Sequence, residues 1–275
     1  MNQNLINRIL TGIVAGAAAI TMIVVSPYGI WLFCALISLL GLWEMMRTGG
    51  ATVTSIKVVA LVIGGIFWLI RLIPLIHPEV TELALAPYIN VAMIVLPVLA
   101  LLALFNKSLK DPIKEMSVIA LAFLYVYLPF HLLYGMAIPA GAASYLWQIP
   151  LGILLLNWTL DSMAYFVGRF FGKHFLFPRI SPKKTWEGSI GGAIFCMALG
   201  YGLTIWMKEV SWNWIVVAGI ITVFGQLGDF VESMFKRSMN LKDSGNILPG
   251  HGGILDRFDG FIFSIPIIFL YFGFA

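Results

Sequence analysis

Long apolar runs separated by short polar stretches dominate the pattern of this chain. A helix that crosses a bilayer needs about 20 mainly apolar residues, within a range of about 17–25. The pattern predicts an all-α polytopic membrane protein with about nine transmembrane helices. The predicted spans are 9–25, 28–46, 57–76, 84–105, 116–138, 146–167, 189–207, 212–235 and 258–274.

The composition agrees with this pattern. Only 11% of the 275 residues are charged and 60% are hydrophobic, whereas soluble domains carry roughly 25% charged residues. No polar run is long enough for a soluble domain, so we expect one membrane domain over residues 1–275. The first apolar run lacks a small-residue cleavage site and is interpreted as a retained span.

The distribution of basic residues predicts the orientation. Of the 17 Lys and Arg residues, 15 fall on one side of the predicted topology, Lys208 falls on the other side and Arg71 lies within the third span. Cytoplasmic loops carry the excess of Lys and Arg, so we expect a cytoplasmic N-terminus and an external C-terminus. A net charge of +4 spread over these loops does not indicate nucleic-acid binding.

Glycines and charged residues are concentrated in one stretch, residues 233–259, which we call the signature segment. It reads SMFKRSMNLKDSGNILPGHGGILDRFD. Proline and glycine disfavour a helix interior at 249–253, and glycines let backbone N–H groups converge on an anion. Lys236, Arg237 and Arg257 supply side-chain donors for phosphate groups. The segment therefore predicts a phosphate site.

Carboxylates in and before the signature segment share helix faces. Asp256 and Asp259 are three residues apart, so both lie on one face near the start of the last helix. Asp229 and Glu232 share a face at the end of the eighth span. Mg²⁺ prefers one or two carboxylates together with substrate phosphates. For Glu232, a surface ion pair with Lys236 is an equally good interpretation.

Two further motifs precede the signature segment. Asp161 lies inside the sixth span, where a charge costs roughly 2.5–3.5 kcal/mol and usually faces a cavity. The alternative is a structural pair with Arg169 or another cation. The loop SPKKTWEG, residues 181–188, places two lysines and a threonine before a helix N-terminus, which predicts an anion cradle. The alternative is an ordinary cytoplasmic loop whose charges only set the orientation.

These three motifs, in this order, resemble those of the phosphatidate cytidylyltransferases (CDP-diacylglycerol synthases) of bacteria. The signature segment matches every position of the family pattern, and LDSMAYFVGR and SPKKTWEG look like two further family motifs. The resemblance covers residues from about 157 to 260. The family commonly has Leu where Phe230 stands, which exchanges one apolar residue for another.

The resemblance implies a nucleotidyltransferase of phospholipid biosynthesis, which converts phosphatidate and CTP into CDP-diacylglycerol and pyrophosphate. It also implies Mg²⁺ and a second cation, K⁺, a homodimer, and a place in the bacterial inner membrane with the active site facing the cytoplasm. On this basis, residues 1–150 are N-terminal transmembrane helices, and 151–275 form the catalytic helices and loops.

The expected site residues fall into three groups. The catalytic residues are Asp229, Asp256, Asp259, Lys183 and Lys184. The substrate-binding residues are Lys236, Arg237, Arg257, His251, Gly252, Gly253, Asp161, Ser181 and Thr185. The expected metal ligands are Asp229 and Asp256. Asp259 is expected either to be a third ligand or to support one of these two. Arg257 binds phosphate or orients the carboxylates, and His251 is expected to position the loop rather than to transfer a proton.

Two other functions fit parts of the sequence. A transporter of a phosphorylated metabolite would use the intramembrane Asp161, but its polar groups must be reachable from both sides. A CTP-dependent lipid kinase would use the same phosphate donors. Elsewhere, Glu44 is expected to pair locally with Arg47, and His131 to be a core histidine.

Overall fold

The fold is known from a computed structural model, which describes residues 3–77, 87–106, 109–139, 145–208, 210, 213–245, 247 and 252–274. Within these ranges, helices overlap all nine predicted segments. The helices are α1 (Gln3–Val25), α2 (Pro27–Thr48), α3 (Thr54–Ile76), α4 (Pro87–Phe105), α5 (Pro112–Ala122), α6 (Leu128–Ala137), α7 (Gln148–Phe171), α8 (Trp186–Trp206), α9 (Trp214–Ile220), α10 (Gln226–Ser238) and α11 (Leu255–Phe274).

The chain is a multi-pass, mainly helical membrane protein. In the described residues, six helical stretches are long and apolar enough to cross a membrane. They are Pro27–Thr48, Thr54–Ile76, Pro112–Ala137, Gln148–Phe171, Trp186–Trp206 and Trp214–Ser238. The count of nine spans and the orientation of the termini stay predictions.

Two of these spans contain a π-helical turn. One turn, Phe123–Tyr127, joins α5 to α6, and the other, Ile221–Gly225, joins α9 to α10. Pro129 follows the first turn and has no N–H to donate to the carbonyl one turn earlier. The second turn ends one helical turn before Asp229, and π turns inside α-helices are frequent near functional sites.

A short hairpin interrupts the helices, which the sequence pattern did not predict. Strands β1 (Phe175–Phe177) and β2 (Ser181–Thr185) pair antiparallel. The Ile180 N–H donates to the Phe177 carbonyl oxygen at 3.1 Å, and Pro178 stands at the second position of this turn, which proline favours. The loop expected between the sixth and seventh spans is therefore partly ordered as a sheet.

The chain groups into two compact units. The first comprises residues 1–145 and 243–255, and the second comprises residues 146–242 and 256–275. In the core of the first unit, His131 is 1% exposed. Its ring centroid lies 4.1 Å from that of Trp68 and 4.5 Å from that of Tyr127. His131 therefore packs in the aromatic core, as the sequence suggested.

Glycines bring α7 and α8 close together in the second unit. A methyl group at Gly188 would lie 2.6 Å from the Ala164 carbonyl oxygen, and one at Gly192 would lie 2.8 Å from the Leu160 carbonyl oxygen. A methyl group at Gly191 would lie 2.6 Å from the Cγ1 of the Val167 side chain. Small residues let helix backbones approach closely in membranes, so these glycines fix α8, and the hairpin before it, against α7.

Candidate active site

The hairpin presents its lysines from a fixed base. The Thr185 hydroxyl accepts a hydrogen bond from the Gly188 N–H at 3.2 Å and so caps α8. The Glu187 carboxylate accepts from the backbone N–H groups of Lys173 and His174 at 3.1 and 3.2 Å. These bonds tie the start of β1 to the first turn of α8 and hold β2 at the helix N-terminus.

A close crossing of α10 and α11 brings the carboxylates of the second unit together. A methyl group at Gly228 would lie 2.5 Å from the Phe263 Cβ and 2.7 Å from the Asp259 carbonyl oxygen. A methyl group at Gly260 would lie 2.8 Å from the Gly225 carbonyl oxygen. Only hydrogen fits at these two positions, and Asp229 and Asp259 each lie next to one of them.

Lys184 joins the hairpin to α10. Its ammonium forms a salt bridge with the Asp229 carboxylate, and both side chains are about a quarter exposed, at 29% and 26%. The Lys184 ammonium also lies 4.8 Å from the centre of the Phe230 ring. The Phe177 ring packs on Phe230 with its centroid at 5.8 Å. The predicted cradle lysine and the predicted metal ligand are therefore in direct contact.

Lys236 joins α10 to α11 in the same way. Its ammonium donates to the Asp256 carboxylate at 2.7 Å and forms a second salt bridge with Glu232 one turn earlier. Glu232 is only 2% exposed, so its pair with Lys236 is buried rather than a surface pair. Buried charges need partners, and this three-residue group supplies them.

Asp161 and Asp259 are two further carboxylates that interact with the charged groups of the second unit. The Asp161 carboxylate interacts electrostatically with Lys184, Asp229 and Arg257. Asp259 interacts in turn with Asp229 and Asp161. The site therefore concentrates acidic groups from α7, α10 and α11 around the ammonium groups of Lys184 and Lys236.

Comparison with known proteins assigns the chain to a family. The family model described as "Cytidylyltransferase family" matches residues 6–275. The chain belongs to the cytidylyltransferase family. A protein of Bacillus subtilis named phosphatidate cytidylyltransferase is 34% identical over 270 residues, which cover 96% of both chains.

Relatives from staphylococci agree with this assignment. A protein of the same name from Staphylococcus haemolyticus is 34% identical over 277 residues, which cover 95% of this chain and 96% of the relative. Another, from Staphylococcus aureus strain COL, is 51% identical over 117 residues, which cover 42% of this chain and 45% of the relative. The resemblance found in the motifs thus extends over the whole chain.

The structure of this cytidylyltransferase family member places most predicted site residues in the second unit. Lys183 is exposed on β2, and Ser181 begins that strand. The exposed Arg237 guanidinium donates to the Leu241 carbonyl oxygen at 3.1 Å. Arg169 was considered as a partner for Asp161. Its guanidinium donates to the Tyr165 hydroxyl at 2.9 Å.

The glycines of the signature segment belong to the first unit. Gly252 has a φ of 86°, a left-handed conformation that glycine adopts without strain. Gly253 is buried in the same loop. His251 lies outside the residues that the structure describes, so its predicted role in positioning the loop stays a prediction.

The carboxylates of the second unit can be compared with the ligands that Mg²⁺ prefers. Among the described residues, no group of three His, Cys, Asp or Glu side chains forms a ready-made metal site. Mg²⁺ does not need such a cage, since it takes one or two carboxylates, waters and substrate phosphates. Asp229 and Asp256 are such carboxylates, and each contacts an ammonium group. These residues therefore fit a cation whose ligands come partly from protein carboxylates and partly from substrate phosphates.

One feature of the site and one feature of the first unit were missed by reasoning from the sequence. The glycines at 228 and 260 allow the α10–α11 crossing, yet single glycines in apolar helices carry little information. Glu44 was expected to pair within its own turn, but its carboxylate also contacts residues about 200 positions later. No pattern of spacing links such distant residues.

Proposed function

We propose that this protein transfers the cytidylyl group of CTP to phosphatidate and releases CDP-diacylglycerol and pyrophosphate. The observation that carries the proposal is the joining of Lys184 to Asp229 and of Lys236 to Asp256 across the hairpin, α10 and α11. Membership of the cytidylyltransferase family supports it, as do relatives named phosphatidate cytidylyltransferase that match 96% of the chain.

The reaction needs charge neutralisation more than it needs a strong base. A phosphate monoester has its second pKa near 6, so phosphatidate is largely dianionic at pH 7 and is already a nucleophile. One of its phosphate oxygens forms a bond to the α-phosphorus of CTP. The bond from that phosphorus to the α,β-bridging oxygen breaks, and pyrophosphate leaves with the electron pair. No proton has to be removed from the nucleophile.

Positioning and electrostatic stabilisation then supply most of the rate enhancement. Lys183 is the exposed cation of β2 and the first contact for an incoming triphosphate. Lys184 and Lys236 neutralise carboxylates before substrate binds, and they can share their N–H donors with phosphate oxygens afterwards. Arg237 and Arg257 add positive charge at the exposed edge.

We further propose that Asp229 and Asp256 hold Mg²⁺, with Asp259 as a third ligand or a support, and that K⁺ is a second cation. A bound cation of this kind neutralises phosphate charge and aligns the nucleophile with the leaving group. The acidic environment around Asp161, Asp229 and Asp259 supports the assignment. In the proposed roles, Ser181 and Thr185 support the phosphate-binding strand.

The proposed setting is the bacterial inner membrane, with nine transmembrane helices and a homodimeric assembly. The basic residues that flank the site support a cytoplasmic active site, since CTP is a cytosolic nucleotide. Phosphatidate would enter from the inner leaflet. No nucleic acid takes part in this function.

The proposal is tested by following the phosphates of CTP separately with purified protein, phosphatidate and Mg²⁺. Label in the α-phosphate should enter the lipid fraction, and pyrophosphate should appear in equal amount. Label in the γ-phosphate should stay in water-soluble products. A lipid labelled only from the γ-phosphate would instead identify a CTP-dependent kinase. Flux into vesicles without a new product would identify a transporter.

A further inference from the structure

One carboxylate of α2 binds both ends of the loop that precedes α11. Glu44 is 2% exposed, and its Oε2 accepts a hydrogen bond from the Ser244 hydroxyl at 3.1 Å. The same oxygen accepts from the backbone N–H of Leu255 at 2.8 Å. Ser244 and Leu255 are eleven positions apart, so one carboxylate oxygen binds two separate points of the signature segment. All three residues belong to the first unit.

The glycines of this loop make room for the Glu44 side chain. A methyl group at Gly245 would overlap the Glu44 Oε1, and so would a methyl group at Gly253. The loop therefore needs hydrogen at both positions while Glu44 is present. The sequence suggested that these glycines surround an anion, and the anion that they adjoin in this structure is a carboxylate of the chain itself.

The bond to Leu255 lies at the start of α11. The first N–H groups of a helix have no partner within the helix, and a carboxylate at a helix N-terminus is favourable. Leu255 is the first residue of α11, so Glu44 caps this helix from a distant part of the chain. The next residue along the helix is Asp256, which bonds to Lys236.

We propose that Glu44 is a positioning residue for cytidylyl transfer. By holding the first backbone N–H of α11, it fixes the start of the helix whose second residue is Asp256. Glu44 itself contacts neither substrate nor metal in this account. The inference rests on the proposed function, because positioning has meaning only for a site that works.

Kinetics of Glu44 variants test the inference. A misplacement of about 1 Å in a catalytic group costs on the order of 100-fold in rate, so Glu44→Ala should lower kcat by about that factor. The KM for CTP should change less than kcat, because the exposed phosphate donors are untouched. Glu44→Gln keeps one oxygen that can accept both bonds, and it should recover most of the lost kcat.

Glu115 provides a matched control in the same unit. It is a buried carboxylate that caps another helix, because it accepts from the backbone N–H groups of Thr52 and Val53 at 2.9 and 2.8 Å. Glu115→Ala should lower thermal stability but leave the kcat of the folded protein close to wild type. A wild-type kcat for folded Glu44→Ala would overturn the proposal.

Backbone hydrogen exchange gives a readout that does not depend on activity. In the wild type, the amide of Leu255 should exchange slowly, and Glu44→Ala should speed its exchange while Glu115→Ala should not. If Glu44→Ala yields no folded protein, Glu44→Asp decides, since its shorter side chain draws the carboxylate away from the Leu255 N–H and should lower kcat about 10-fold. Full activity and unchanged Leu255 exchange in Glu44→Asp would refute the positioning role. A wild type that shows slow Leu255 exchange but no transfer would refute the proposed function instead.

Discussion

Two neighbouring lysines of β2 differ in their surroundings. Lys184 is paired with Asp229 and lies over the Phe230 ring, whereas Lys183 is exposed on the same strand. Consecutive residues of a strand point to opposite faces, so only one of the two can face α10. The difference suggests that Lys184 belongs to the reacting centre and that Lys183 captures the nucleotide.

Separate substitutions should distinguish these roles. Lys183→Ala removes an exposed phosphate donor, so the KM for CTP should rise several-fold with a small change in kcat. Lys184→Ala leaves Asp229 without its ammonium partner, and kcat should fall by roughly 100-fold. Steady-state kinetics with varied CTP measure both effects. If both variants keep wild-type kinetics, the lysines serve only the orientation of the protein in the membrane.

At the scale of single residues, the sequence indicates contacts within one segment better than contacts between distant segments. Asp229 and Asp256 were predicted as site residues from residue type and spacing, because each shares a helix face with another carboxylate, and their roles as ligands stay predictions. The burial of Glu232 was not predictable, since an i, i+4 pair looks the same at a surface and in a core. Glu44 escaped recognition because its partners Ser244 and Leu255 are so distant in the chain.

The crossing of α10 and α11 determines the geometry of the site at the scale of the element. Each helix contributes one glycine to the contact, and the methyl group of an alanine at either position would meet backbone atoms at less than 3 Å. Such overpacking typically costs about 1–3 kcal/mol. The helices would have to move apart to relieve it, and Asp229 would move away from Asp259.

A single methyl group should therefore reduce activity. Gly260→Ala should lower kcat by about 10-fold or more, because small displacements of catalytic groups are costly. Gly219→Ala in α9 is the control, since a methyl group there meets no atom within 4 Å. Assays of both purified variants, with their thermal stabilities, make the comparison. Equal activity of the two variants would show that the crossing tolerates separation.

The positions of the helices were predictable, whereas their irregularities were not. Long apolar runs predicted the segments that became α1 to α11, since a spanning helix has a minimum length. The two π turns and the β1–β2 hairpin left no clear signal in that pattern. Both hairpin strands are short, and lysines on β2 made the segment look like a loop.

At the scale of the whole molecule, the basic residues make the orientation testable. Lys173 and Lys242 are exposed and belong to the second unit, and the excess of basic residues around them predicts the cytoplasmic side. The native cysteines, Cys34 and Cys196, are both buried and can be replaced by alanine. Lys173→Cys and Lys242→Cys should then provide accessible thiols on that side.

An impermeant thiol reagent reads out the orientation. In intact cells, neither introduced cysteine should react, and both should react after the membrane is opened. Labelling of Lys173→Cys from outside intact cells would reverse the predicted orientation. It would also separate the site from cytosolic CTP, and the proposed function would then need another route for the nucleotide.

A double-mutant cycle on Asp229 and Asp256 tests most directly whether the two lysine–carboxylate pairs form one catalytic centre. Asparagine keeps the shape of aspartate but removes the charge that a hard cation requires. Asp229→Asn and Asp256→Asn should each reduce transfer of α-labelled cytidylyl groups by roughly 100-fold or more, with no change in the size of the purified protein. Asp243→Asn, at an exposed position outside the site, should keep wild-type activity.

The double variant decides the question. If both carboxylates serve one centre, its loss should be close to that of either single variant, because residues that act as a unit are not additive. Losses that multiply would mean that Asp229 and Asp256 act independently. Near wild-type activity of Asp256→Asn at low Mg²⁺ would contradict its role as a cation ligand.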